Sequence, residues 1–264
     1  MPLPTPIERT LTGHTWRRLE ARCLPARAER RITVHIGPHK TGSTSIQEML
    51  RLNAWKLRPA VRVVPRSDPI LGAFCAISRQ HHTDAEVQDA APALLREAAR
   101  LARSCRHVDH ALISHEDVLG GRPTVRGRMG LYPGAARRLG VLIDGIAAEG
   151  ASVVVVFYVR TYAEWTQSLQ RDLGRRATPL PSRRFVRRYG LAEGWEPVVA
   201  ALCDAVGPER LALADFAADR DEGRMGSGLL RLVGVSERTL ETVSWPPPRR
   251  VTREATHSPA AFGL

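Results

Sequence analysis

The hydrophobic positions of this chain follow two spacings, one typical of buried β-strands and the other of amphipathic helices. Runs of apolar and β-branched residues predict strands at residues 31–37, 60–64, 110–114, 152–159 and 210–214. Apolar residues three and four positions apart predict helices between them, with inward-facing residues Ile46, Met49 and Leu50; Leu94, Leu95, Ala98 and Leu101; Leu139, Leu142, Ile143 and Ile146; and Tyr162, Trp165 and Leu169. A further helix is predicted at residues 195–206. Because strands alternate with helices, we expect a parallel sheet covered on both faces.

The length of 264 residues is sufficient for one α/β domain with a sizeable core. We expect that domain to cover residues 31–244. A flexible N-terminal extension is expected at residues 1–30, and an irregular C-terminal tail at residues 245–264.

The chain has a strongly basic composition, with a formal net charge of +12 and only two lysines, Lys40 and Lys56. A basic surface attracts nucleic acid, anionic lipid and phosphorylated or sulfated ligands, so the charge indicates an anionic partner without choosing one. Aromatic residues make up only 5% of the chain, and no helix-turn-helix, zinc or RNA-stacking signature is present. We therefore expect no nucleic-acid partner.

The sequence predicts a cytoplasmic protein. No stretch is long and apolar enough to span a bilayer, and the first 31 residues lack the order of a signal peptide. The four cysteines are widely scattered and form neither a CxxC pair nor a Cys/His metal spacing, which favours reduced thiols.

A loop rich in glycine and hydroxyl groups separates the first predicted strand from the first predicted helix. It comprises Gly37, Pro38, His39, Lys40, Thr41, Gly42, Ser43, Thr44 and Ser45. In this setting backbone N–H groups and a helix N-terminus cradle an anion, while Gly42 permits close backbone approach and Lys40 supplies a mobile charge. A capped helix after a turn is the simpler interpretation. It leaves unexplained a lysine at the apex of the loop in a chain that otherwise uses arginine.

The loop differs from the nucleoside-triphosphate loop G-x-x-x-x-G-K-[ST]. Gly37 and Gly42 keep the glycine spacing, but Ser43 stands where the lysine belongs, and the lysine is at position 40. Arg160 follows the strand at residues 152–159, where a triphosphate hydrolase more often places a magnesium-holding aspartate. These differences favour a phosphosulfate bound without a metal.

Residues 34–47 resemble the 5′-phosphosulfate loop of bacterial sulfotransferases that use 3′-phosphoadenosine-5′-phosphosulfate (PAPS). Residues 155–168 resemble the second signature of that family, a strand ending in arginine followed by a helix that carries a serine. The resemblance spans roughly residues 32–233 and implies a single-domain P-loop-type three-layer fold. It also implies that residues 38–45 hold the phosphosulfate, while Arg160 and Ser168 hold the 3′-phosphate.

Sulfuryl transfer requires a base for the acceptor, in-line positioning, and stabilisation of the leaving oxygen. The resemblance assigns Lys40 to the leaving oxygen. For the base, Glu116 matches the Ser-x-Glu pattern of similar enzymes, and the adjacent His115 departs from it. Side chains that are adjacent on an extended strand point in opposite directions, so only one of the two is expected to face the sulfur. The simpler interpretation of Glu116 and His115 is that both are solvated loop residues. His39 is a third candidate for the base.

Seven arginines and one acid lie in residues 171–188, directly after the predicted 3′-phosphate helix. Three interpretations of this segment are open. It is a charged surface that faces solvent, it covers the bound nucleotide, or it binds an acidic acceptor such as a sulfated or uronic polysaccharide. Arg249, Arg250 and Arg253 are further candidates for the 3′-phosphate.

The acceptor itself is not specified by the sequence, because a fold and a cofactor loop do not determine it. A hydroxyl or amine of a carbohydrate or small metabolite is favoured. The alternatives are a P-loop nucleotide kinase or NTPase with a degenerate loop, a basic nucleic-acid-binding protein, and an inactive binding module on the same scaffold.

Overall fold

The protein is built around a parallel five-stranded sheet. The computed structural model describes residues 30–123, 130–174, 182–191 and 194–247. The strands are β1 (Arg31–Ile36), β2 (Arg62–Val63), β3 (His110–Ser114), β4 (Ser152–Val159) and β5 (Leu211–Asp215). They lie in the order β2-β3-β1-β4-β5, and every pairing is parallel. Strand β1 is therefore central, and the segments that follow β1, β3 and β4 meet at one edge of the sheet.

Ten α-helices are described along with the sheet, together with one 3₁₀ helix at Glu116–Leu119 directly after β3. The α-helices are α1 (Ser43–Leu57), α2 (Pro69–Gln80), α3 (Asp84–Ser104), α4 (Ala135–Ala147), α5 (Tyr162–Gly174), α6 (Ser182–Arg188), α7 (Glu196–Val206), α8 (Phe216–Asp221), α9 (Ser227–Leu232) and α10 (Glu237–Thr242).

The core lies in two layers, one on each face of the sheet. On one face, alternate residues of β1, β3 and β4 pack with helices α2 to α7. On the other face, residues such as Val156 and Tyr158 of β4 pack with α1 and with α8 to α10. Side chains that alternate between the two faces of each strand supply both layers, as expected for a buried parallel sheet. The predicted three-layer α/β class is therefore confirmed.

The predicted strands agree with the structure to within two residues at each end, because continuous apolar runs are a strong signal for buried strands. The prediction for Leu95 is wrong. This side chain is 38% exposed, whereas Leu94 and Leu101 of the same helix are fully buried. The buried face of α3 therefore includes Leu94 but not Leu95, so it is narrower than the apolar residues of this helix suggested.

Helices α2, α6 and α8 to α10 were not predicted from the sequence. For α2 the local signal exists, since Asp68 accepts hydrogen bonds from the backbone N–H groups of Ile70 and Leu71, and Pro69 occupies the first helical position. The last three helices have only six residues each, which is too short for a periodic pattern to stand out.

Within the described residues, no helix combines the length and the apolar character needed to cross a membrane. Three of the four cysteines lie in the described part of the chain, and each is a free thiol there. Cys23, the remainder of the predicted N-terminal extension up to residue 29, and the tail from residue 248 lie outside the described residues.

Candidate functional site

The loop after β1 has a backbone that only particular residues tolerate. Lys40 has a φ of 79° and Gly42 a φ of 81°, both in the left-handed region, which is unfavourable for a lysine. A Cβ at Gly42 would lie 2.9 Å from Sδ of Met225, and a Cβ at Gly37 would lie 2.6 Å from Oγ1 of Thr41. Gly37 is therefore required by close approach to the hydrogen-bonded Thr41 hydroxyl, and Gly42 by its positive φ.

Fixed contacts hold this backbone in place. The hydroxyl of Thr41 donates to the carbonyl oxygen of Pro38 at 2.6 Å. The indole N–H of Trp165 donates to the carbonyl of His39 at 2.7 Å, and the guanidinium of Arg160 reaches the carbonyl of Lys40 at 3.4 Å. Helix α5 and the end of β4 thus stabilise the strained segment, which is the arrangement expected where strain serves a site.

The loop opens into a cavity of about 650 Å³, a size typical of sites for nucleotide-sized ligands. Its lining residues are His39, Lys40, Gly42, Ser43, Thr44, Ser45, Glu116, Arg122, Arg160, Ser168, Arg171, Asp172, Phe216, Arg220, Gly223, Met225 and Pro246. The structure therefore brings together nine of the twelve residues that the sequence singled out for catalysis or cofactor binding.

The other three, Pro38, Thr41 and His115, do not line the cavity. Pro38 and Thr41 are buried and shape the loop from behind through the hydrogen bond between them. His115 is only 5% exposed, and its Nδ1 accepts a hydrogen bond from the backbone N–H of Asp117 at 3.2 Å. Burial lowers the pKa of His115, in spite of the neighbouring carboxylates of Glu116 and Asp117.

Ser43 carries a polar atom without a partner at the first position of α1. The residue is 6% exposed, and its hydroxyl oxygen makes no hydrogen bond within the described part of the chain. Leaving a buried hydroxyl unpaired is unfavourable by about 1–3 kcal/mol. Because Ser43 also lines the cavity at the start of a helix, its hydroxyl and the N-terminal backbone N–H groups of α1 are groups that could hold an anion.

Lys40 and Arg122 converge on the same carboxylate. The ammonium nitrogen of Lys40 lies 3.2 Å from Oδ1 of Asp172, and Arg122 pairs with Oδ2. All three side chains are largely buried, with exposed fractions between 15% and 21%. Sequence reasoning did not find Arg122 or Asp172 as individual site residues, because no local spacing connects them to the loop.

Arg160 lies beside the loop and packs against Phe216, another residue of the cavity lining. Its guanidinium carbon is 4.7 Å from the centroid of the Phe216 ring, and its Nε is 3.2 Å from a carboxylate oxygen of Glu164. Arg220 approaches the same ring at 5.8 Å. Ser168 lines the cavity from the same helix as Glu164. The guanidinium of Arg160 and the hydroxyl of Ser168 are therefore both available to donate hydrogen bonds to an anion in the cavity.

Glu116 begins the 3₁₀ helix after β3, so it does not continue the strand in the extended geometry that the sequence suggested. Its carboxylate accepts a hydrogen bond from Gln47 at 2.7 Å and lies 3.0 Å from Arg66. Burial raises its pKa, but its own backbone N–H, Arg66 and Gln47 outweigh that effect, and the pKa is lowered overall. The group is therefore an anion at neutral pH.

His39 is held through both ring nitrogens. Its Nε2 lies 3.3 Å from a carboxylate oxygen of Asp117, and its Nδ1 lies 3.1 Å from the hydroxyl of Tyr132. Burial opposes ionisation of Asp117, but hydrogen bonds and charge from His39 and Arg79 dominate and lower the Asp117 pKa to about 2. With both nitrogens engaged, His39 is better placed to fix the loop than to take a proton.

The basic segment predicted at residues 171–188 contributes differently along its length. Arg171 lines the cavity, whereas Arg184, Arg187 and Arg188 are exposed and do not. Arg175 and Arg176, the side chain of Arg183, and the late candidates Arg249, Arg250 and Arg253 lie outside what the structure describes.

Comparisons with known proteins add little to this geometry. No family model matches the chain, and neither does any curated protein. Among solved structures, the chain is similar to a gluconokinase from Sinorhizobium meliloti 1021, with a TM-score of 0.36 and 12% identity over 83% of this chain and 99% of that one. A similarity at this level is too distant to carry an argument about function.

Proposed function

We propose that the protein is a sulfotransferase that moves a sulfuryl group from PAPS to a hydroxyl or amine of an acceptor. One observation carries the proposal. The glycine-rich loop with Lys40 and the strand–helix segment with Arg160 and Ser168 are about 120 residues apart in sequence, yet they open into one cavity. Each segment alone has an ordinary structural explanation, but their convergence is what a ligand with anionic groups at two ends requires.

The charge of the cavity fits such a donor. Five cationic side chains line it, and only two carboxylates oppose them; the cations are Lys40, Arg122, Arg160, Arg171 and Arg220. Outside the lining, Arg66 pairs with Glu116, Glu164 pairs with both Arg160 and Arg220, and Asp221 also pairs with Arg220, so the cations still outnumber the carboxylates. The remaining positive charge suits a phosphosulfate at the loop and a phosphate near Arg160.

Phe216 gives the cavity a flat apolar wall next to these cations. A purine ring requires an aromatic or apolar surface as well as charged ends, and the rim of the cavity also includes Met225 and Pro246. These three residues come from the C-terminal part of the described chain, and Phe216 and Met225 pack in the core layer on the face of the sheet opposite to α5.

The transfer assigns a task to each group. The bond between sulfur and the bridging oxygen breaks as a bond forms between sulfur and the acceptor oxygen or nitrogen. The ammonium of Lys40 stabilises the charge that appears on the bridging oxygen. The acceptor proton passes to the carboxylate of Glu116, which lines the same cavity and is ionised at neutral pH.

The alternative of a nucleotide kinase or NTPase requires a magnesium ion held near the loop. Among the described residues, no group of three His, Cys, Asp or Glu side chains is arranged to hold a metal. Nucleotide-bound magnesium needs fewer protein ligands than that, so the binding experiment decides between the two readings.

Calorimetry with three nucleotides tests the proposal. The protein should bind 3′-phosphoadenosine-5′-phosphate (PAP) without metal, and far more tightly than adenosine 5′-phosphate. ATP with magnesium should bind weakly. Tight binding of ATP that depends on magnesium, with no binding of PAP, would replace the sulfotransferase proposal with the kinase alternative.

A further inference from the structure

Asp172 lies in the cavity between two cationic side chains, where an anion from a ligand would also be attracted. Its two carboxylate oxygens are shared between two cations, with Lys40 on Oδ1 and Arg122 on Oδ2. Two oxygens of a sulfonate or phosphate can be held by two cations in the same way. The pairing therefore shows in outline how the site would hold a tetrahedral anion.

The position of Arg122 is fixed by the fold. Gly120, two residues earlier, has a φ of 101°, and a Cβ there would lie 2.5 Å from a nitrogen of Arg138. The guanidinium of Arg138 is buried and donates to the carbonyl oxygens of Leu119 and Pro133 at 2.6 Å each. This anchor holds the end of the 3₁₀ helix, two residues before Arg122, whose side chain lines the cavity.

Helix α5 places Asp172 on the same face as Ser168, the residue proposed to bind the 3′-phosphate. Ser168 and Asp172 are four residues apart, so they lie on the same face of the helix, about one 5.4 Å turn from each other. Both line the cavity. A donor whose 3′-phosphate is near Ser168 would thus extend along α5 and bring its other anionic end toward Lys40, where the carboxylate of Asp172 now lies.

We propose that Arg122 and Lys40 form a two-cation clamp for the transferred group of the donor, and that the carboxylate of Asp172 occupies this clamp until the donor displaces it. The inference rests on the proposed function for the identity of the donor. Arg122 then acts as a specificity residue that distinguishes a donor carrying the transferred group from the product that has lost it. Asp172 keeps the ammonium of Lys40 paired while no donor is bound.

Binding measurements on matched variants test the clamp. Affinities for PAPS, PAP and inorganic pyrophosphate are measured by calorimetry for the parent and for the variants Arg122→Gln, Arg122→Lys and Asp172→Asn. Arg187→Gln is the control, because it removes one arginine charge from an exposed position outside the cavity. Thermal unfolding of each variant verifies that it is folded.

Arg122→Gln should weaken PAPS binding roughly tenfold more than PAP binding, since a charge-assisted pair to the sulfonate is lost. Arg122→Lys should lose less, because it keeps the charge without the planar fork. Asp172→Asn should tighten PAPS and pyrophosphate binding several-fold, since the competing internal anion is gone. The control should change each affinity less than twofold.

Equal losses for PAPS and PAP in Arg122→Gln would overturn the clamp, and weaker anion binding in Asp172→Asn would overturn the displacement. Pyrophosphate separates this inference from the proposed function. If the parent binds neither PAPS nor PAP, the proposed function fails, while the clamp still requires Asp172→Asn to tighten pyrophosphate binding and Arg122→Gln to weaken it. Should pyrophosphate fail to respond to either variant, the clamp is wrong.

Discussion

Gln47 donates its side-chain N–H to a carboxylate oxygen of Glu116 at 2.7 Å, which ties the helix after β1 to the turn after β3. The carbonyl oxygen of the same amide accepts a hydrogen bond from Arg66 at 2.9 Å, and Arg66 is also paired with Glu116. The carboxylate is thus held from two sides while it lines the cavity. His115, its neighbour in sequence, is buried away from the cavity.

The first prediction is that Glu116 acts as the general base. Glu116→Gln should reduce sulfuryl transfer by roughly a hundredfold or more and change PAP affinity little, because the amide cannot take up a proton. His115→Ala is the matched comparison and should reduce transfer far less. Turnover numbers and calorimetric affinities for both variants provide the test.

The pH profile separates the two candidates further. Because the Glu116 pKa is lowered from its usual value of 4.5, kcat/KM should be flat through neutral pH and fall only in the acid range below that value. Loss of transfer in His115→Ala but not in Glu116→Gln would instead reassign the base to His115.

A second prediction concerns the loop lysine. Lys40→Met should lower turnover by roughly a hundredfold or more, because no cation then stabilises the leaving oxygen. Lys40→Arg should not restore full activity, since a planar guanidinium cannot replace a compact ammonium at a position with a φ of 79°. Steady-state kinetics at saturating donor provide the measurement, and unchanged turnover in Lys40→Met would contradict the proposed transfer chemistry.

A third prediction concerns recognition of the 3′-phosphate. Arg160→Ala and Ser168→Ala should each reduce the preference for PAP over adenosine 5′-phosphate, with Arg160 contributing about 1–3 kcal/mol through charge-assisted hydrogen bonds. Arg160 also contacts the carbonyl of Lys40 in the loop. Arg160→Ala should therefore also lower the affinity for both nucleotides somewhat. Ser168→Ala isolates the phosphate effect. If both variants discriminate as well as the parent, the 3′-phosphate is bound elsewhere.

A fourth prediction concerns stability against acid. His35 is 1% exposed beneath the loop, its Nδ1 lies 2.7 Å from the hydroxyl of Ser114, and burial lowers its pKa to about 4. The unfolded chain, with a His pKa of about 6.5, therefore binds more protons between pH 6.5 and 4. The free energy of unfolding should fall as the pH is lowered through this range, by at most about 3 kcal/mol from this residue.

Urea unfolding at a series of pH values measures that slope. His35→Asn keeps a polar atom near Ser114 and should reduce the slope, while His110→Gln provides the comparison, because burial also lowers the His110 pKa to about 4. Identical slopes for the parent and His35→Asn would show that His35 does not carry this dependence.

Local sequence determined the elements around the loop. A continuous apolar run before Gly37 and an apolar stripe starting at Ile46 are signals within one strand and one helix, and both elements form where they were predicted. The need for glycine at position 42 could also be anticipated, because a tight anion-binding turn requires positive φ or close approach. These features depend on residues within a few positions of one another.

The tertiary structure alone decided which side chains meet. Lys40 and Asp172 are 132 positions apart, and they pair only because β1 and β4 are adjacent in the sheet. The choice between Glu116 and His115 depends on a 3₁₀ turn that directs one side chain into the cavity, and adjacent residues carry no local signal for that direction. Phe216 and Met225 complete the wall from short C-terminal helices whose packing against α1 no pattern in the sequence displays. Periodicity records which face of an element is buried, but contacts between distant elements are set by the order and register of the strands.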